Sequence, residues 1–305
     1  MNLFPEMISN MAIKHPVLED ASVSLFLKRE DLIHPFVSGN KYRKLKYNLQ
    51  QAKVEGKDVL LTYGGAFSNH IAAVASAGKM FNLKTIGIIR GEELADKPLN
   101  STLRYAEACG MQLHFVSREA YRLKETPEEI HLLRNVFGDF YRIPEGGTNA
   151  LAVNGCKEII TEKDKEFDYL AVSVGTGGTM AGIIEASDET QEVIGFSALK
   201  GTFQLSEIKK YTSKNNFMLT DRYCFGGYSK VTPELIQFIN LFKKNTNILL
   251  DPVYTGKMIF GIIAMVERGY FKKNSRILAV HTGGLQGIPG MNVKLEKKNL
   301  PQIIV

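Results

Sequence analysis

The chain has 305 residues, of which 44% are hydrophobic and 23% charged; 38 Lys+Arg against 32 Asp+Glu give a formal charge of +6. This globular composition excludes a disordered tail, a collagen and a disulfide-stapled miniprotein, and no apolar run reaches the roughly 18 residues a membrane helix needs. The mild positive excess suits an enzyme of anionic small molecules; no nucleic-acid motif accompanies it, and no aromatic platform interleaves the basic residues.

In chain order, residues 1–10 hold Glu6 and no basic residue before an apolar block, which does not read as a secretory signal. Segment 24–29 (SLFLKR) is strand-like and free to cross into a later sheet. Residues 58–63 (DVLLTY), 84–90 (KTIGIIR), 112–117 (QLHFVS) and 139–144 (DFYRIP) read as buried strands, with helices expected over 70–81 and 101–109. A second series follows, with strands over 168–174 (DYLAVSV), 192–198 (EVIGFSA) and 276–280 (RILAV) and helices over 233–244 and 255–268. Strands alternating with helices imply βαβ units and parallel sheets. No linker or repeat marks a boundary. The two series predict a small α/β domain over 45–148 and a large one from 1–44 and 149–305. Cys109, Cys156 and Cys224 are odd in number and far apart, which suits neither a zinc site nor a disulfide framework and points to a reducing compartment, the cytoplasm.

Four segments put glycine or small polar residues after a strand or at a helix start, where open α/β sheets bind ligands. In Val174-Gly175-Thr176-Gly177-Gly178-Thr179-Met180, three glycines in four residues let the backbone approach a ligand, and free N–H groups at the helix start suit a phosphate. The phosphate reading is preferred to a packing turn; the spacing is neither the dinucleotide nor the Walker pattern. In Ser38-Gly39-Asn40-Lys41-Tyr42-Arg43-Lys44-Leu45, Ser38 is expected to cap a helix with Tyr42, Leu45 and Leu49 on one stripe. Lys41 there is placed to condense with an aldehyde cofactor, yet taken alone a solvated basic face is the commoner reading. In Tyr63-Gly64-Gly65-Ala66-Phe67-Ser68-Asn69-His70, the turn is either a helix cap or a carboxylate site, the cap being the safer choice. Near the C-terminus, Tyr254 in 251–257 (DPVYTGK) is a ring-stacking or core aromatic. In 281–284 (HTGG), Thr282 donates to a ring nitrogen or satisfies a turn, and His281 reads as structural.

Together the blocks GNKYRKL, GGAFSNH, GTGGT, DPVYTGK and HTGG, in this order over residues 39–284, resemble the family of 1-aminocyclopropane-1-carboxylate deaminase and D-cysteine desulfhydrase. These are tryptophan-synthase-β-like pyridoxal-phosphate enzymes. The resemblance implies an α/β protein of two domains, each with a mainly parallel sheet flanked by helices, and pyridoxal 5'-phosphate in the cleft between them. It implies that Lys41 bonds the cofactor aldehyde and takes the substrate's α-proton. Gly175, Thr176, Gly177, Gly178 and Thr179 would hold the phosphate with Lys44. Asn69 would bond the cofactor's phenolic oxygen, and Ser68, Asn69 and His70 would hold the substrate carboxylate. Tyr254 would lie on the ring, Thr282 would meet its nitrogen, Thr255 would border the substrate, and Tyr228 in 226–230 (GGYSK) would be a second active-site tyrosine.

In the deaminases glutamate and leucine occupy the positions of Thr255 and Thr282. The threonines resemble the desulfhydrases, and a neutral hydroxyl does not enforce protonation of the ring nitrogen. The resemblance therefore implies β-elimination from D-cysteine to pyruvate, ammonia and sulfide, with the cyclopropane deaminase, another serine or cysteine lyase, a racemase or a non-catalytic phosphate-binding module as alternatives. It also implies a homodimer. The stretch after HTGG, 285–290 (LQGIPG), departs from the family's usual sequence.

Overall fold

The computed structural model describes residues 8–34 and 37–305. Most of the N-terminal segment 1–10 therefore lies outside the described residues. In chain order the elements are β1 (Asn10–Ile13), α1 (Pro16–Asp20), β2 (Ser24–Lys28), α2 (Asn40–Val54), β3 (Val59–Gly65), α3 (Asn69–Phe81), β4 (Lys84–Arg90), α4 (Ser101–Ala108), β5 (Met111–Val116), α5 (Arg118–Arg122), α6 (Pro127–Phe137), β6 (Tyr141–Ile143) and α7 (Ala150–Lys157). They continue as β7 (Tyr169–Val174), α8 (Gly178–Ala186), β8 (Glu192–Ser197), α9 (Gln204–Ile208), β9 (Phe217–Thr220), α10 (Pro233–Thr246), α11 (Thr255–Glu267), β10 (Arg276–Val280) and α12 (Ile288–Glu296).

Two sheets result. One is four-stranded and wholly parallel, in the order β5-β4-β3-β6. The other is six-stranded, β1-β2-β10-β7-β8-β9, parallel except for the antiparallel edge pair β1–β2. Segment 24–29 does cross over: β2 pairs with β10, from Arg276 opposite Ser24 to Val280 opposite Lys28. Every residue of β7 is buried, as a strand with helices on both faces requires. Strands of the first sheet come from 45–148 and those of the second from 1–44 and 149–305. The division at 44/45 falls inside α2, a continuous helix in contact with both α3 and α7.

Packing fixes the helices that matter for function. The α2 stripe buries Tyr42 and Leu45 against α3 and β3. On its other side α2 meets α7, and α7 meets α8. A Cβ on Gly155 would overlap the Arg43 carbonyl, and one on Gly182 would overlap the Cys156 side chain and the Val153 carbonyl. Glycine lets these three helices approach backbone to backbone. A bidentate pair from Arg43 to Glu30, 2.9 Å on each arm, anchors α2 from a third direction.

On β2, beside the edge strand β1, Lys28 donates to the buried carboxylate of Asp164, which also accepts from Asn10 Nδ2 and from the Thr161 N–H, both at 2.7 Å. Both ionic side chains are at most 3% exposed. Lys28→Met leaves a buried carboxylate without its cation and is expected to cost about 3–5 kcal/mol in urea unfolding; a cost below about 1 kcal/mol would show that the pair contributes little.

Candidate active site

The C-terminal ends of β3, β4, β7 and β10 open onto one cleft of about 1330 Å³ between the two sheets. Its lining brings together Lys41, Lys44, Ser68, Asn69, His70, Gly175, Thr176, Gly177, Thr179, Tyr228, Tyr254 and Thr282. Segments more than 200 residues apart therefore share one surface, as strand ends of open α/β sheets do.

Lys41 stands one residue inside the N-terminus of α2. Ser38 does not cap this helix; its hydroxyl donates to the Asp31 carbonyl at 3.1 Å. The cap position belongs to Gly39, with φ of 62° and no side-chain bond. The reason is contact: a Cβ on Gly39 would run into the Thr282 carbonyl, which also accepts from the Asn40 N–H. This close approach sets the Lys41 helix directly against the loop that carries Thr282. Lys41 Nζ reaches Asn40 Oδ1 at 3.3 Å, and Asn40 Nδ2 donates to Thr179 Oγ1 at 2.8 Å. Loss of hydration, reinforced by the Lys44 charge, lowers the Lys41 ammonium to a pKa of about 7. A large fraction is a neutral, nucleophilic amine at neutral pH.

The glycine loop lies at the start of α8. That helix has no side-chain cap among the described residues, and Gly177, Thr179 and Met180 at its start line the cleft, so its first N–H groups are available to a ligand there. A Cβ on Gly175 would press on the Tyr254 ring at 3.3 Å, and one on Gly178 would meet Thr148 at 2.8 Å. Lys44 faces the loop from α2. Its Nζ donates to the Gly146 carbonyl at 2.9 Å, to Thr148 Oγ1 at 3.0 Å and to Thr176 Oγ1 at 3.4 Å. Burial lowers it to a pKa of about 8. A helix N-terminus, a lysine and the two threonine hydroxyls form a cradle for a doubly charged anion. The residues fit pyridoxal phosphate: a low-pKa amine for its aldehyde and an uncapped cradle for its phosphate.

The cap reading of Ser68 holds, since its Oγ accepts from the His70 and Ile71 N–H groups at 3.2 and 3.3 Å. The same turn nevertheless lines the cleft. Asn69 is held by Gln286, whose Nε2 donates to Asn69 Oδ1 at 2.5 Å, so the divergent segment after HTGG reaches the site. His70 is buried and neutral, its pKa held well below 6.5 by burial and by the charges of Lys41 and Lys44. Thr62 donates to the Ile143 carbonyl and is thereby left to accept from His70 Nε2 at 2.8 Å.

Tyr254 stands at the start of α11, its phenol kept protonated by burial. Tyr228 meets it edge-on, ring centroids 6.2 Å apart. The Tyr228 loop has positive φ at Phe225, Gly226, Gly227 and Ser229. Lys257 of α11 holds it, donating to the Cys224 and Gly227 carbonyls at 2.8 Å each.

Thr255 and Gly178 are not part of the lining. Thr255 is fully buried beneath the cleft, its hydroxyl donating to Asp251 Oδ1 at 2.8 Å. Asp251 does line the cleft, but its carboxylate also accepts from the N–H groups of Val253, Tyr254 and Thr255. With four donors it caps α11 and is not free to pair with a ligand. His281 is structural: Nε2 bonds the Leu249 carbonyl at 2.8 Å and Nδ1 accepts from Gly283. Sequence reasoning missed Arg90, Glu145, Gly146, Thr148 and Asp251. Residues 145–148 (EGGT) follow a strand with two glycines, the same signal that marked the other segments.

Fold and site define a pyridoxal-phosphate enzyme of the tryptophan-synthase-β-like type. The chain belongs to the pyridoxal-phosphate dependent enzyme family, whose model matches residues 11–283. It is 31% identical over 292 residues to a putative 1-aminocyclopropane-1-carboxylate deaminase of Thermotoga maritima, covering 88% of this chain and 91% of that protein. It is 30% identical over 299 residues to a bifunctional D-cysteine desulfhydrase/1-aminocyclopropane-1-carboxylate deaminase of Arabidopsis thaliana, covering 87% and 73%. A crystal structure of an ACC deaminase homologue superposes with a TM-score of 0.83 at 27% identity, covering 97% of this chain and 94% of that one. Among the described residues, no helix is long and apolar enough to cross a membrane.

Two outcomes test this geometry. Gly39→Ala is expected to weaken cofactor binding about tenfold or more by pushing α2 off the Thr282 loop; an unchanged dissociation constant by fluorescence titration would contradict it. The rate at which cofactor-free protein develops the yellow band should rise with pH through about 7, as the Lys41 amine loses its proton, and then level off. A rise that continues toward pH 10 would point to a hydrated lysine instead.

Proposed function

We propose that this protein is a lyase that deaminates a small α-amino acid to a keto acid, using pyridoxal phosphate bound at Lys41. One observation carries the reading. An amine with a pKa of about 7 shares a cleft with an uncapped glycine-rich helix start and with the turn 68–70 at the start of α3. The bound cofactor supplies an electron sink for negative charge at the substrate's α-carbon.

The chain's own residues do the rest. Lys44 and the N–H groups of α8 hold the phosphate. Asn69, fixed by Gln286, orients the ring from one edge, and Tyr254 covers one face. The Thr282 side chain is buried at the cleft wall and has no hydrogen-bond partner among the described residues, which leaves it to meet the ring nitrogen. The turn at Ser68, Asn69 and His70 binds the carboxylate with the positive end of α3 behind it. As a neutral amine, Lys41 would take the α-proton of D-cysteine; the cyclopropane amino acid has no α-hydrogen, and there the same amine would move a proton at a ring carbon as a ring C–C bond opens. Water completes the balance: D-cysteine and water give pyruvate, ammonia and sulfide, and the cyclopropane amino acid and water give a keto acid and ammonia.

The relatives' names weigh toward the cyclopropane amino acid as substrate. The sequence argument for D-cysteine rested on Thr255 and Thr282, and Thr255 is spent on Asp251 beneath the cleft. D-cysteine remains the second reading, favoured by the neutral Thr282 and the saturated Asp251. In the cytoplasm, as a homodimer, either reaction would run on free amino acids.

Purified protein offered D-cysteine, L-cysteine, D-serine and the cyclopropane amino acid, scored for keto acid and sulfide, separates the readings. Turnover of the cyclopropane substrate with weak D-cysteine activity supports the first, and the reverse supports the second. Lys41→Ala should abolish both the yellow band and turnover; retention of both would refute the assignment.

A further inference from the structure

Beside the carboxylate turn stands a cation that the reaction does not use. Arg90 is the last residue of β4, at the C-terminal edge of the parallel sheet, and its register partner on β3 is Gly65. Gly65 leads directly into the turn at residues 68–70. Arg90 Nη2 lies 3.6 Å from where a Cβ on Gly65 would sit, and both residues line the cleft. The guanidinium rests against the Tyr121 ring, 5.6 Å from its centroid. Its charge is felt across the cleft at Tyr228, where it partly offsets the upward shift that burial gives the phenol.

Among the described residues, no carboxylate lies within ion-pair distance of Arg90. Acids that line the cleft are engaged elsewhere: Glu125 pairs with Arg142 at 2.6 Å and Glu145 with Lys124 at 3.4 Å. The cleft, at about 1330 Å³, exceeds the roughly 300–1,000 Å³ of ordinary ligand pockets. The cofactor and a three-carbon amino acid leave part of it open. An unpaired, ring-supported guanidinium on such a rim suits bidentate binding of an oxyanion.

We propose that Arg90 selects α-amino acids whose β-substituent carries a second acidic group, a carboxylate, sulfonate or phosphate. This rests on the reading of residues 68–70 as the site of the α-carboxylate. The bonds broken are those of the D-cysteine reading, Cα–H and Cβ–X. The acidic X leaves with the bonding pair, is protonated, and departs beside keto acid and ammonia after one water is consumed.

The matched pair S-carboxymethylcysteine and its amide, S-carbamoylmethylcysteine, both racemic, isolates the charge of the second acid. With the holoenzyme, the KM of the acid is expected about 10- to 100-fold below that of its neutral isostere, as a charge-assisted pair allows. Arg90→Gln should collapse that ratio by raising the KM of the acid, and Arg90→Lys should keep part of it. Calorimetric binding of the same two molecules without their amino groups reads selectivity apart from turnover. Equal KM values in the unaltered enzyme would overturn the proposal. So would an Arg90→Gln variant that raises both KM values equally, because Arg90 would then hold the α-carboxylate. Absence of keto acid from every amino acid and of the yellow band would count against the lyase reading instead, while the calorimetric comparison would still decide the role of Arg90.

Discussion

Backbone-to-backbone contact at three glycines is the constraint on which the rest of this structure depends. Gly155 and Gly182 press α2, α7 and α8 into one stack, and Gly39 presses the start of α2 onto the Thr282 loop. Lys41 rides on the first helix of that stack and the glycine cradle opens the last. Any side chain at these positions would act as a spacer between amine and cradle. The position of Lys41 is therefore set by rigid packing of elements from the larger sheet, and the turn at Ser68 closes the cleft from the smaller one.

Electrostatics follow from that packing. Lys41 and Lys44, three residues apart on one helix, share the same dry space, and the Lys44 charge lowers the cost of deprotonating Lys41. An anion in the cradle would offset Lys44 and leave Lys41 as the reactive amine. Asp251, the nearest acid to the ring region, is consumed by four donors from its own helix start. The cleft thus concentrates positive charge and keeps its carboxylates engaged, which suits a doubly charged cofactor tail and an acidic substrate.

Much of this was legible in the sequence, and the reasons differ by element. The long apolar runs of β3, β4, β7 and β10 are strands buried on both faces, and their edges agree with expectation to within about two residues. β1 was missed because an edge strand of four residues with only Ile13 buried has no period to read, and β9 because its residues are only partly covered. Individual motifs left Lys41 ambiguous, since a lysine at a helix start is usually solvated; only five blocks in order gave it meaning. Ser38 was misread because a cap rule takes no account of the Thr282 carbonyl lying where the helix begins. Thr255 was misread because adjacency to Tyr254 in sequence does not mean adjacency in a helix's first turn, where one side chain faces the cleft and the next faces the core.

The most direct test of the account is where the cofactor is attached. Borohydride reduction of the holoenzyme, followed by proteolysis and mass spectrometry, fixes the label to the amine that held the aldehyde. The account predicts a phosphopyridoxyl group on the peptide containing Lys41, at that residue alone. Label on Lys44 or Lys257, or on surface lysines without preference, would contradict it.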